Sequence, residues 1–155
     1  VLDVATRAVD RRAPVDLDLA YRHSNLTDHT IVVQATFSTG AIDPAEGMAR
    51  LREITRWRRE HQPGGTLNAG SVFKNPPDAS AGAIIDGLGL KGTHLGPVSV
   101  SPVHANWLVA TEDATASDIF AFVHHIQRLV ADRAGINLVP EIRFIGAFSE
   151  GSEQP

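Results

Sequence analysis

A chain of 155 residues, 43% of them apolar, is long enough to bury one core, and at about 100–200 residues per domain it fits one domain with an appended piece. Its 14 Lys and Arg against 18 Asp and Glu leave a net charge of -4, which excludes the basic field that nucleic acid or an anionic membrane surface would require. With no Cys, disulfides, thiolate catalysis and Cys-based zinc or iron–sulfur centres are excluded too, so any redox chemistry needs a borrowed cofactor.

The chain opens on Val1-Leu2-Asp3-Val4 without an initiator Met, which points to a fragment, and it shows neither a signal-peptide pattern nor an apolar run of the ~18–20 residues that span a bilayer. The expected compartment is the cytoplasm. Residues 1–40 read as strands around a polar turn: Val1 to Val9, then Ile31 to Phe37, where Ile31, Val33, Ala35 and Phe37 share a face at period two. At Asp43-Pro44-Ala45-Glu46 the pattern changes to a capped helix start, and a helix is expected from Pro44 to Glu60, with Met48, Leu51 and Ile54 as a stripe among interspersed Arg and Glu.

Residues 61–80, rich in Gly, Pro and Asn, are expected to be loop with a short strand at Val72-Phe73. A short helix over Ala81 to Leu88 and extended segments at Val98 to Ser101 and Trp107 to Thr111 follow. A long helix over Ala116 to Ala134 is the clearest element. Ile119, Phe122, Val123, Ile126, Leu129 and Val130 keep helical spacing, Thr115 and Asp118 suit its start, and Gly135 suits its end. A last strand, Glu141 to Ile145, precedes a polar tail over residues 149–155 that is expected to be disordered. The fold class expected is α+β.

Several segments could carry chemistry. In Asn68-Ala69-Gly70-Ser71 the Gly lets the backbone approach a ligand and leaves a hydroxyl and successive N–H groups free to meet it. Phe73 two residues after Ser71 rules out the hydrolase nucleophile elbow. Lys74 and Asn75 add a cation and an amide of the kind a phosphate or diphosphate requires. Glu141 and Arg143 share one face of their segment, while Arg22 lies in the polar turn Tyr21-Arg22-His23-Ser24. Each of these could equally be a solvated surface residue. The seven His include no metal-ligating pair spacing, and neither a G-x-G-x-x-G nor a P-loop occurs, so no metal site is expected.

Taken in order, Gln62-Pro63, Asn68 through Pro76, Ala81-Gly82, Ile84-Ile85-Asp86, Gly89 through Gly92, Ser101, His104-Ala105-Asn106, Ala114-Thr115-Ala116 and Pro140 through Gly146 resemble the C-terminal half of the UDP-N-acetylenolpyruvoylglucosamine reductases. With Tyr21-Arg22-His23-Ser24 matching a Tyr-Arg-x-Ser turn of that family, the resemblance covers residues 18–146. It implies an FAD enzyme of peptidoglycan precursor synthesis that uses NADPH to reduce UDP-N-acetylglucosamine enolpyruvate to UDP-N-acetylmuramate. By the same resemblance Ser71 is the proton donor, flanked by Arg22 and Glu141, while Asn75, Arg143, Lys74, His104 and Asn106 are substrate ligands.

The implied organisation is the end of an FAD-binding region over residues 1–40, a substrate-binding domain over 41–136, and a strand over 137–148 returning to the FAD domain. The main Gly-rich FAD loop is missing, so the fragment alone is expected to be inactive, and its cofactor ligands are not identified. The short stretch between Phe37 and Pro44 leaves no room for the Tyr-bearing substrate loop of one branch and points to the other. His61 stands where the family often has Lys. A different reading of the same residues is a non-catalytic UDP-sugar-binding module that works without flavin.

Overall fold

The computed structural model describes residues 1–148; the tail expected to be disordered, 149–155, lies outside the described residues. The chain divides at Asp43–Pro44 into two compact units. In the first, strand β1 (Leu2–Asp3) pairs antiparallel with β2 (Thr30–Ile31), and a 3-10 turn covers Pro14–Leu17. The expected long strands are absent here, and the causes are local. The Asp3 carboxylate accepts from the Thr6 backbone N–H at 2.7 Å and from its hydroxyl at 2.9 Å, and Arg7 adopts a left-handed φ of 60°, so the chain folds back and bridges Leu2 to Val9. Those two Thr6 hydrogen bonds also hold the exposed Asp3 carboxyl below its ordinary range. Beyond Ile31 the alternating residues find no strand to extend within this unit, and Val33 and Phe37 remain exposed.

The second unit begins with α1 (Pro44–His61), which ends one residue beyond expectation and buries none of its side chains. Met48, Leu51, Ile54 and Trp57 all stay about half exposed. α2 (Ala81–Gly87) starts on Ser80, whose hydroxyl accepts from the Ala83 N–H at 3.0 Å. β3 (His94–Leu95), β4 (Val98–Val100) and β5 (Leu108–Ala110) form an antiparallel sheet in that order, with Ser99 opposite both His94 and Val109.

α3 (Ala116–Ala134) closes the core. Its start is a capping box: Asp118 accepts from the Thr115 N–H at 2.8 Å while the Thr115 hydroxyl accepts from the Asp118 N–H at 3.2 Å. Its end is Gly135 at φ 69°, a left-handed cap that a residue with a Cβ enters only under strain. Between these ends Phe122, Val123, Ile126 and Val130 are fully buried against Val98 and Val100 of β4, Ile85 of α2, Val72, Phe73 and Leu138. The architecture is α+β, and α3 is the platform on which one sheet and the surrounding loops rest.

The expected strand Glu141 to Ile145 is not a regular one. An isolated antiparallel bridge joins Phe73 to Pro140, just before this segment, and the Glu141 N–H bonds the Val72 carbonyl.

Truncating Phe122 to Ala, which empties a site with no solvent access, is expected to cost about 3–5 kcal/mol in chemical denaturation. Thr115→Ala, which removes only the cap, is expected to cost about 1 kcal/mol.

Candidate active site

Ser71 lies on a short extended run, residues 71–74, held on both sides. On one side Ser71 bridges Trp107, and the Val72 N–H donates to the Asn106 carbonyl at 2.9 Å. On the other, the Glu141 N–H donates to the Val72 carbonyl at 2.7 Å and the Lys74 N–H to the Val139 carbonyl at 2.8 Å. One step earlier, Leu67 bridges Ala110 and extends the β5 edge. Residues 71–74 are therefore the middle rung between β5's continuation and the 139–141 segment, which places Glu141 beside the residue that follows Ser71.

The run is not regularly pleated. The N–H groups of Val72 and Phe73 both turn toward Asn106: the first meets its carbonyl, the second its side-chain Oδ1 at 2.9 Å. The same amide donates from Nδ2 to the Phe73 carbonyl at 2.8 Å. Two consecutive residues facing one partner is the geometry of a bulge. It explains why Val72 and Phe73 are both 1% exposed, where a flat strand would bury only alternate residues.

The approach to Ser71 is organised by Asn68. Its Nδ2 donates to the Pro63 and Thr66 carbonyls at 3.1 and 3.0 Å, and its Oδ1 accepts from the Gly70 N–H at 3.1 Å. Gly70 then turns at φ 80° with nothing within 4 Å of where a Cβ would sit, so the backbone before the hydroxyl is open to an incoming group. An Asn two residues before a left-handed Gly is a readable turn signature, and it identifies Asn68 as the organiser of this loop.

The expected ligands fall into distinct environments. Lys74 and Arg143 have no side-chain hydrogen bond or ion pair among the described residues, while Lys91, by contrast, pairs with Asp86 at 2.7 Å. Asn75 uses Oδ1 to accept from the Ala81 N–H at 3.0 Å at the start of α2, leaving its NH2 without a partner among the described residues. Asn106 is 4% exposed, with both ends of its amide bonded to the Phe73 backbone.

His104 is half-buried, and its Nδ1 accepts from the Asn106 N–H at 3.2 Å, which requires that nitrogen to be unprotonated. Burial, then the Lys91 charge, push its pKa below the ordinary 6.5. A Cβ on Gly82 would lie 3.3 Å from the His104 ring, so α2 fixes the ring's other side. His61 stacks on Trp57 with ring centroids 4.7 Å apart, and its Nδ1–H donates to the Trp57 carbonyl at 2.8 Å.

Two hollows flank this region. An apolar cavity of about 240 Å³ lies between Ala69, Val72, Leu108, Ile119 and Ile142. A more open groove of about 570 Å³ carries Arg59, Gln62, Thr66, Ser99 and Ser101, donors suited to an anionic or hydroxyl-rich ligand. No group of three metal-ligating side chains occurs among the described residues.

Arg22 belongs to the first unit. It occupies the third position of a tight turn in which Ala20 and His23 exchange backbone hydrogen bonds at 3.2 and 3.1 Å, with its guanidinium 5.7 Å from the Tyr21 ring centroid. Its φ is 53°, a conformation that favours Gly. Arg7 and Asp18 share this left-handed conformation, at φ 60° and 46°.

Residues 62–145 match the family model described as UDP-N-acetylenolpyruvoylglucosamine reductase, C-terminal domain. The UDP-N-acetylenolpyruvoylglucosamine reductase of Synechococcus sp. (strain RCC307) is 40% identical over 151 residues, spanning 96% of this chain and 50% of that protein. That of Nostoc punctiforme is 42% identical over 137 residues, 87% of this chain and 41% of that protein. The crystal structure of UDP-N-acetylenolpyruvylglucosamine reductase from Thermus caldophilus superposes with a TM-score of 0.72 at 32% identity, covering 85% of this chain and 47% of that one. The chain thus spans about half the length of these relatives or somewhat less.

For His104 the folded state favours the neutral ring, so the unfolded chain binds more protons as pH falls through the ordinary 6.5. Stability is therefore expected to decline below that pH. His104→Gln is expected to flatten the decline between about pH 7.5 and 5.5 in paired thermal melts.

Proposed function

The chain belongs to the UDP-N-acetylenolpyruvoylglucosamine reductase family, matching its C-terminal domain, and from that premise we propose that it supplies the substrate domain and proton donor of such an enzyme. The reaction proposed is reduction of the enolpyruvyl double bond of UDP-N-acetylglucosamine enolpyruvate to give UDP-N-acetylmuramate, in the cytoplasmic stage of peptidoglycan synthesis. FAD reduced by NADPH is the proposed source of the hydride. Among the described residues the left-handed glycines are scattered in sequence over residues 65–146 rather than gathered in one Gly-rich run of the kind that cradles a diphosphate. The flavin's holders are proposed to lie in the part of the relatives that the chain does not span, and the steps derived below are those of this chain's own side chains.

Hydride addition at one alkene carbon pushes the π electrons onto the other, as a carbanion delocalised into the adjacent carboxylate. Ser71 Oγ–H is the proposed donor of the proton that this second carbon takes up, forming the new C–H bond. A serine hydroxyl is a weak acid, so the transfer needs the developing charge to be stabilised. Arg22 is the proposed partner of the substrate carboxylate, and Glu141 shapes the network that returns a proton to Ser71. Asn75, with its unpartnered NH2, and the unpaired cations Lys74 and Arg143 are the proposed holders of substrate polar groups, including the diphosphate. His104, neutral and fixed by Asn106 and α2, is a further proposed contact.

The observation that best supports this reading is the middle rung itself. Residues 71–74 carry the hydroxyl between two flanking segments, one of which brings Glu141 against Val72. A preorganised donor of this kind is what proton transfer to a fixed carbon demands.

In the complete FAD enzyme, Ser71→Ala is expected to leave flavin reduction by NADPH within about twofold while slowing flavin reoxidation by the enolpyruvyl substrate about 10²–10⁴-fold. Stopped-flow absorbance separates the half-reactions. Equal slowing of both would assign Ser71 a structural role.

A further inference from the structure

Ser71 is placed by neighbours rather than by its own side chain, and the residue that fixes them most directly is Asn106. A backbone strand opposite residue 73 would offer its own N–H and C=O. Here those roles fall to the Asn106 amide, with Oδ1 accepting from the Phe73 N–H at 2.9 Å and Nδ2 donating to the Phe73 carbonyl at 2.8 Å. The orientation of the amide is unambiguous, since its reverse would set carbonyl against carbonyl and N–H against NH2. The Asn106 main chain adds a third bond, accepting from the Val72 N–H at 2.9 Å.

One residue thus draws two consecutive N–H groups to itself and creates the bulge immediately after Ser71. Bulges re-aim the side chains beside them. Asn106 is itself held, through its N–H to His104 Nδ1 at 3.2 Å, and it is buried to 4% exposure, so the setting is rigid.

We infer that Asn106 is a positioning residue for the proton-transfer step: its side chain, by replacing a strand partner at Phe73, sets the direction in which the Ser71 hydroxyl points. This rests on Ser71 being the proton donor. Asn106 touches neither substrate nor cofactor. Its effect is therefore expected in the half-reaction that uses the Ser71 proton, and flavin reduction is left alone.

The test uses the complete FAD enzyme with Asn106→Leu, which removes both side-chain bonds, and Asn106→Asp, which keeps the acceptor for the Phe73 N–H and loses the donor. Reoxidation of reduced flavin by the enolpyruvyl substrate is expected to slow about 10–100-fold in Asn106→Leu and less in Asn106→Asp, as misplacement of a reacting group by about 1 Å does. The solvent deuterium isotope effect on that step is expected to rise. The rate of reduction by NADPH is expected to stay within about twofold of the parent. Combining Asn106→Leu with Ser71→Ala is expected to be no slower than Ser71→Ala alone, because a residue that acts only through Ser71 has nothing left to position.

Additive slowing in the double variant, or parallel loss of both half-reactions, would overturn the inference. So would failure of both single variants to yield folded enzyme, which would make Asn106 a folding residue. The two readings fail differently. Normal reoxidation in Ser71→Ala sinks the proton-donor assignment and this inference with it, whereas slow reoxidation in Ser71→Ala with full activity in Asn106→Leu sinks this inference alone.

Discussion

The whole arrangement around Ser71 depends on one buried amide meeting one peptide unit. Asn106 lies where water does not reach, and its oxygen and nitrogen saturate the N–H and C=O of Phe73. Left unpaired at such a site, each of these backbone groups would cost about 1–3 kcal/mol. Pairing them through a side chain instead of a strand lets the chain at residues 71–74 bulge while remaining fully bonded. Phe73 can then turn into the core beside Val72. The flanking 139–141 segment joins the far side of the same rung, so the position of Glu141 is a downstream result of the same pairing.

Around this fixed rung the molecule grades from rigid to exposed. α3 and β4 supply the anchored apolar surface, with Phe122, Val123, Ile126 and Val130 buried in the same cluster as Val72 and Phe73 of the rung. Farther out come side chains that carry charge or open amide valence, namely Lys74, Asn75 and Arg143. Their availability is the counterpart of the rung's closure, since a polar group already satisfied by the protein has little to give a ligand. Asn106 and Asn75 illustrate the difference: one amide is wholly spent on backbone, the other spends only its oxygen. The chain spans about half of the relatives it matches, and the described unit that carries this rung lies in the part matched by the family model.

Much of this was legible in the sequence where the physics is local. α3 announced itself through helical spacing and through Thr115, Asp118 and Gly135 at its ends, and all three act as caps. α1 and α2 fell within one residue of expectation. Strands were less readable because a period of two describes a side-chain pattern and not a pairing partner. Ile31 to Phe37 alternates well and yet forms a ladder only at Thr30–Ile31, and Glu141 to Ile145 contributes the Glu141 N–H bond to Val72 beside the bridge at Pro140. At the site, the loop around Ser71 was visible through Gly70. The role of Asn106 was not, because its partner is the main chain 33 residues earlier, and nothing in the composition of His104-Ala105-Asn106-Trp107 encodes that distance. The left-handed backbone at Arg22 was hidden for a related reason: the sequence shows an Arg where the turn would prefer Gly, and only the φ of 53° reveals the conflict.

That conflict has an evolutionary side. The backbone penalty at Arg22, on the order of 1 kcal/mol, burdens every copy of the protein at every moment. Its guanidinium lies 5.7 Å from the Tyr21 ring centroid, so part of that penalty is offset locally. The Asn106 amide is different, since both of its ends are spent on Phe73 and repay the fold whether or not a ligand is bound. Selection on the fold alone is therefore enough to keep Asn106, whereas position 22 is the costlier of the two to hold.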